Sequence, residues 1–244
     1  MKKIPAKQTI LAFESSAERC EVALLCQGQL SSLSESAARA HARRLLPMAN
    51  ELITAAGLAS VSEIDVLAFD AGPGGFTGLR IAAALVQGLA FAGGQSVAGI
   101  SSLHALAWQR ASEEGLDPGD RFACVIDARM AEVYWQIFEV ADKGTNELPF
   151  RAVGEAQLST PEACLAQLEA EAVRLMTGDY FAVSTSAPDE LRVVIDQPSA
   201  ESIALLAARR TGNTTVEMPA AAIPVYLRGA SAWKKTTHKT DPSN

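Results

Sequence analysis

The chain has 244 residues, 48% of them hydrophobic and 20% charged, which excludes a disordered polymer and allows a large core or two lobes of ordinary domain size. Twenty-one Lys and Arg against 28 Asp and Glu give a formal charge of −7. The fold as a whole therefore repels a phosphate backbone, and tight autonomous RNA binding is disfavoured. The four cysteines, at 20, 26, 124 and 164, include no C-x-x-C pair and have no histidine at a zinc-site spacing. They read as reduced, buried thiols of a cytoplasmic protein with no metal site. The basic N-terminus lacks an apolar run long enough for a secretory signal. The uncharged window 81–100 is interrupted by Gln87, Gly88, Gly93, Gly94, Gln95 and Ser96, so a buried helix, a turn and a strand are expected there, not a membrane span.

In chain order, aliphatic runs predict strands over 9–14 and 20–26 around a polar turn, and Gln27-Gly28 turns the chain into a third strand near 29–33. Leu45, Met48, Ala49, Leu52, Ile53 and Ala56 follow helical spacing within 37–56, with Gly57 as the stop and Pro47 expected to kink the helix or start a new first turn. A strand over 64–70 leads into Asp70-Ala-Gly-Pro-Gly-Gly-Phe-Thr-Gly-Leu-Arg80 and a helix over 79–92 begun by Thr77 or Gly78. A strand over 97–100 and a helix from Ser101 or Ser102 to Glu113 follow.

A second lobe restarts with strands over 122–127 and 132–140, a surface turn over 141–147 and a strand over 150–158. Thr160 caps a helix with Pro161 at its first position. Strands over 173–177 and 191–195, a helix over 199–210 and a loose tail over 237–244 complete the reading. The class is mixed α/β, with lobes at 1–106 and 107–244 and the 199–210 helix as a candidate to cross back to the first lobe. No internal repeat is visible in the sequence.

Three segments bear on chemistry. The glycine stretch is neither G-x-G-x-x-G nor a Walker loop, so a tight structural turn is preferred over phosphate binding, with both kept open. The 79–92 helix has Arg80 and Gln87 as its only strongly polar side chains, so both its faces need cover, and another polypeptide is the preferred source. Asp127-Ala-Arg-Met-Ala-Glu132 carries two carboxylates but no accompanying nucleophile or metal motif. It reads as an ion network of Asp127, Arg129 and Glu132 at the cleft mouth, with no catalytic residue named. The basic excess of Arg228, Lys234, Lys235, His238 and Lys239, with Trp233 beside it, suits either an RNA or acidic-partner contact or a solubilising tail.

The stretch Gly-Pro-Gly-Gly-Phe-Thr-Gly-Leu-Arg over 72–80 resembles the Gly-Pro-Gly-Ser-Phe-Thr-Gly-Leu-Arg signature of the bacterial TsaB (YeaZ) family. His41-Ala-Arg-Arg-Leu-Leu-Pro47, Asp127-Ala-Arg-Met-Ala-Glu-Val-Tyr134, Pro224-Val-Tyr-Leu-Arg228 and Ala232-Trp-Lys-Lys235 match in the same order. The resemblance implies a two-lobed α/β fold of the actin, Hsp70 and sugar-kinase type, ribonuclease H-like in its lobes. It also implies an accessory subunit for threonylcarbamoyl transfer to adenosine beside the tRNA anticodon.

Such a subunit would bind a TsaD-like catalytic subunit through the 37–56 and 79–92 helices, with His41, Leu45, Met48, Leu52, Arg80, Ala83, Ala84 and Gln87 as interface residues. A TsaE-like ATPase would dock on that assembly, which would consume ATP, with no cofactor held tightly by this chain and tRNA reached only through the complex. A homodimer through the same helices stays open. His41 has Leu45 one turn on, where the catalytic paralogue carries a second histidine, so it is read as ordering the helix start or a subunit contact and not as a ligand. In the superfamily the first hairpin carries an acid that places a metal-bound nucleotide; here it is Glu14, one methylene longer than the family's Asp. Glu14, Ser15, Gly74, Gly75, Thr77, Asp127 and Arg129 are the candidate nucleotide or cleft contacts. The alternative reading is a nucleotide-dependent enzyme, a small-molecule kinase or metal-dependent peptidase, in which Glu14 and Asp127 share Mg²⁺.

Overall fold

The computed structural model describes residues 8–36, 41–113, 115–142, 148–180, 190–210, 220, 222–225 and 227–228. Strands β1 (Ile10–Glu14), β2 (Arg19–Cys26), β3 (Gln29–Ser36), β4 (Val66–Gly72) and β5 (Ser96–Ser101) form one sheet in the order β3-β2-β1-β4-β5. The first three are antiparallel, and β4 and β5 run parallel to β1. β1 is central and buried on both faces, which is why it reads as an unbroken apolar run ending in a carboxylate. Its alternation splits the core: Leu11 and Phe13 face one cluster, Ile10 and Ala12 another.

Helices α1 (His41–Ala55) and α2 (Phe76–Gly93) cover the Leu11 and Phe13 face. α1 passes through Pro47 as one helix. The proline ring lies exposed on it, where the missing N–H takes the helical donor from the Arg43 carbonyl. α2 starts at Phe76, earlier than expected, with Gly75 as its cap residue and the left-handed Gly94 as its stop. It is long and apolar enough to cross a membrane, with a third of it buried in the fold.

The second sheet comprises β6 (Arg121–Arg129), β7 (Glu132–Val140), β8 (Phe150–Ser159), β9 (Leu175–Gly178) and β10 (Arg192–Ile195), in the order β10-β9-β6-β7-β8. β6 to β8 are antiparallel, and β9 and β10 run parallel to β6. The second lobe thus repeats the strand plan of the first, with α4 (Pro161–Ala170) at the place α1 holds. This repeat lies in topology and not in sequence. The two-lobed α/β class expected from the resemblance is the class observed.

Between the sheets lie α3 (Ser102–Ser112) and α5 (Ala200–Arg210), in one cluster with Ile10, Ala12, Phe122, Cys124 and Phe138. α5 packs on β1, β2 and β4, and its first N–H groups meet Glu21, whose Oε2 accepts from Ala200 N–H at 3.2 Å. The lobe boundary expected at 106/107 falls inside α3. Leu103, Ala105, Leu106, Ala107 and Ala111 are all buried, so this helix belongs to both lobes and holds them together.

Candidate functional site

The turn after β1 packs into the glycine loop after β4. Gly75 N–H donates to the Ser16 carbonyl at 3.1 Å, and Ser15 Oγ donates to the Gly78 carbonyl at 2.8 Å. A Cβ at Gly75 would lie 2.4 Å from Ser16 O, and one at Gly78 1.6 Å from Ser15 O. The close approach that these glycines permit is therefore to the chain's own hairpin. The Ser15 hydroxyl is taken up by this packing, while Gly74 and Gly75 line the cleft together with Ser16. Thr77 is exposed in the first turn of α2.

Beneath the turn lies a pair of carboxyl groups, Glu14 and Asp70, both 0% exposed. Parallel pairing of Phe13 with Phe69 brings them side by side. Glu14 Oε1 accepts from Ser16 N–H at 2.6 Å and lies 2.5 Å from Ser16 Oγ, which is also 2.7 Å from Asp70 Oδ2. Asp70 Oδ1 accepts from Gly72 N–H at 2.7 Å and Ser102 Oγ at 2.5 Å, while Glu14 Oε2 has no hydrogen-bond partner. Burial, then the neighbouring Asp70 charge, pushes the Glu14 carboxyl well above its ordinary range. Burial also raises Asp70, against hydrogen bonds from Ser102, Gly72 and Ser16 that favour its charged form. Glu14 has the fewer donors of the two, so its charged form is the less favoured.

That arrangement has a pH signature. A carboxyl raised in the fold gives its full stabilisation below its unfolded value and loses it as pH rises through the folded one. Glu14→Gln keeps the acceptor for Ser16 and removes the titration. Its urea midpoint is expected to exceed the parent's at pH 8, by roughly 1–3 kcal/mol in stability, with the difference narrowing toward pH 5. Parallel midpoint profiles across that range would show that the Glu14 carboxyl is not raised in the fold.

Glu14 does not reach the cleft between the lobes, so it shares no cation site with Asp127, and the residues present do not fit the Mg²⁺ of the alternative reading. The cleft, about 610 Å³, is lined by Ser16, Phe76, Asp127, Tyr134, Asp179 and Arg228 among others. Asp127 Oδ1 accepts from Arg129 N–H and its Oδ2 from Arg129 Nη1, both at 2.8 Å. Asp127 N–H donates to Asp179 Oδ1 at 2.9 Å. The expected three-membered network is revised at Glu132, which pairs with Arg228 at 2.5 Å. Arg228 Nη2 also donates to the Ala128 carbonyl at 3.1 Å. It thereby braces a turn in which Arg129, Met130 and Ala131 all take positive φ, 61°, 57° and 55°. Trp135 is buried with Nε1 donating to Ser159 Oγ at 2.9 Å, and Tyr134 lines the cleft.

The expected interface residues divide sharply. Leu45, Met48, Leu52 and Ala83 are 0–6% exposed and lie in the first lobe's own core, so they hold α1 and α2 on the sheet and offer no surface. Gln87 Nε2 donates to the Ala222 carbonyl at 2.9 Å. Arg80 and Ala84 are exposed, and the Arg80 guanidinium lies 3.7 Å from the Phe76 ring centre. α1 begins at His41, whose side chain lies outside the described residues, as do Lys234, Lys235, His238 and Lys239. Sequence reading missed Phe91, which is 88% exposed; near it on the helix stands Gly88, where an added Cβ would meet nothing within 4 Å. With Ala84 and the half-buried Ile81 and Leu85 they make an apolar outer strip on α2.

Comparison with known proteins gives a consistent result. The model of the family described as "TsaD: tRNA N6-adenosine threonylcarbamoyltransferase" matches residues 33–179. The tRNA threonylcarbamoyladenosine biosynthesis protein TsaB of Haemophilus influenzae is 36% identical over 93% of this chain and 96% of its own length. The Escherichia coli protein of that name is 32% identical over 94% and 99%. The solved structure of YeaZ from Pseudomonas aeruginosa superposes with a TM-score of 0.75 at 36% identity, over 90% of this chain and all of that one.

Proposed function

This chain belongs to the TsaB (YeaZ) family of tRNA threonylcarbamoyladenosine biosynthesis proteins, and from that premise we propose that it is a non-catalytic scaffold that binds a TsaD-like catalytic subunit through α2 and the neighbouring surface of α1. The observation that carries the proposal is the apolar strip of Ile81, Ala84, Leu85, Gly88 and Phe91, left open after the helix has packed on its sheet. On α1, Leu46 is also 40% exposed. The choice of partner is supported by the family match: a TsaD model fits 33–179, a span that contains both helices. Two chains of one fold can pair through equivalent faces about a pseudo-twofold axis.

The proposal includes a TsaE-like ATPase on the assembled pair, ATP consumed there, and tRNA reached through the complex and not by this acidic chain alone. The self-filled glycine loop and the enclosed Glu14 weigh against intrinsic nucleotide chemistry. Mixing the purified chain with TsaD is expected to give a one-to-one complex by light scattering at ten-micromolar protein, and calorimetry is expected to find no ATP binding to the chain alone. Two unmixed species in scattering would overturn the scaffold reading. Saturable ATP binding without TsaD, abolished in Glu14→Gln, would favour the enzyme reading instead.

A further inference from the structure

The lobes are joined through the shared core in two places: α3 runs from β5 to β6, and residues 196–199 lead from β10 to α5. A third crossing lies along the cleft and is made of hydrogen bonds and an ion pair. Its first end sits on the first lobe. Ala222, 1% exposed, belongs to the Leu11 and Phe13 cluster, and its carbonyl accepts from Gln87 of α2 at 2.9 Å. Val225 N–H donates to the Ala71 carbonyl at 2.7 Å, and Val225 O lies 3.2 Å from where a Cβ on Gly72 would stand. Three residues on, Arg228 reaches the second lobe. Its Nη2 meets Glu132 Oε2 at 2.5 Å, the Ala128 carbonyl at 3.1 Å and the Arg129 carbonyl at 3.4 Å. Val225 and Arg228 both line the cleft.

The two ends differ in kind. The first-lobe end is backbone bonded to backbone beside a buried alanine, whereas the second-lobe end is one side chain, 15% exposed, on a carboxylate that is 35% exposed. A planar guanidinium held by a carboxylate and two carbonyls fixes direction as well as distance. Lobes joined by a few connections bend about them unless something else spans the gap. We propose that Ala222, Val225 and Arg228 form a clasp that sets the opening of the interlobe cleft, with Val225 as the fixed end and Arg228 as the end that releases. The clasp goes beyond bracing the β6–β7 turn, because it ties that turn to β4 and, through Gln87, to α2.

The test measures the distance between the lobes in the full chain by pulsed electron resonance. Spin labels go on Glu18→Cys, in the turn after β1, and Gln157→Cys, on β8, two exposed positions in opposite lobes. Cys26→Ser removes the half-buried native thiol, the other three being buried. Arg228→Ala is expected to lengthen the mean distance by more than about 2 Å, the scale of a domain rearrangement, and to broaden its distribution. Val225→Pro, which removes the N–H given to Ala71 and leaves the Arg228 contacts in place, is expected to lengthen it as much. The double variant should go no further, since cutting either end of one clasp frees the same motion. Arg228→Glu should also open the cleft, and adding Glu132→Arg should bring the distance back toward the parent's. An unchanged distance in Arg228→Ala, even with faster amide exchange at 128–132, would reduce Arg228 to a local brace and overturn the proposal. No effect of Val225→Pro, or lengthening that adds in the double variant, would overturn it as well.

Discussion

Replacing Gly88 by leucine is expected to stabilise the free chain and to abolish the proposed complex with a TsaD-like subunit. Glycine in a helix interior costs roughly 1 kcal/mol relative to a good helix former. Gly88 has no left-handed φ to justify it, and an added Cβ would meet nothing within 4 Å. Within one chain the residue is a net loss, offset only if another surface approaches the helix at that point. Leucine restores helix propensity, so the urea midpoint of the isolated variant should rise by about 0.5–1 kcal/mol in stability. The same side chain stands in the gap between Ala84 and Phe91, so affinity for TsaD should fall about 100-fold or more, the scale of a central interface residue. Ala166→Leu, on the exposed side of α4, is the matched control and should leave binding unchanged. A Gly88→Leu chain that binds TsaD normally, or is less stable alone, would remove α2's strip from the interface.

The opposite signs of those two effects also explain what was legible in the sequence. That α2 is apolar around its circumference follows from composition, and so does its need for two covers. Which residues go to which cover does not follow, because helical spacing groups side chains without saying which side the sheet occupies. Leu45, Met48, Leu52 and Ala83 form the strongest apolar stripes, and the sheet takes the strongest stripe first. What is left exposed is the small or isolated residues Ala84, Gly88 and Phe91.

The Glu14 and Asp70 pair was hidden for a different reason. Fifty-six positions separate the two carboxyl groups, and only the register of β1 on β4 brings them together. The C-terminal Arg228 reaches Glu132 in the same non-local way, across a distance no spacing rule covers. The repeated strand plan of the second lobe was likewise invisible because it conserves strand order and hand, not residue identity.

The glycine stretch leaves two readings open in the sequence, a structural turn and a phosphate cradle, and Gly78→Ala separates the two assignments. If these glycines served a phosphate, an added methyl would leave the unliganded chain intact and weaken only ligand binding. The built Cβ at Gly78 lies 1.6 Å from the Ser15 carbonyl oxygen, a backbone atom between central β1 and the start of α2. No rotamer relieves that overlap, so either the hairpin lifts or α2 shifts, and both moves disturb Ser15 Oγ on the Gly78 carbonyl and Ser16 on the buried carboxyl pair. The expected loss is about 3 kcal/mol or more, read as a fall in the urea midpoint of the free chain. In a chain of this size that corresponds to a melting temperature lower by roughly 6–12 °C. Gly88→Ala in the same helix should move the midpoint the other way, by up to about 1 kcal/mol. Because both substitutions add the same methyl to the same helix, helix propensity cannot account for a difference in sign. Only the hairpin against Gly78 and the open space beside Gly88 can, and equal shifts in the two variants would refute the packing of Ser15 and Ser16 into the loop.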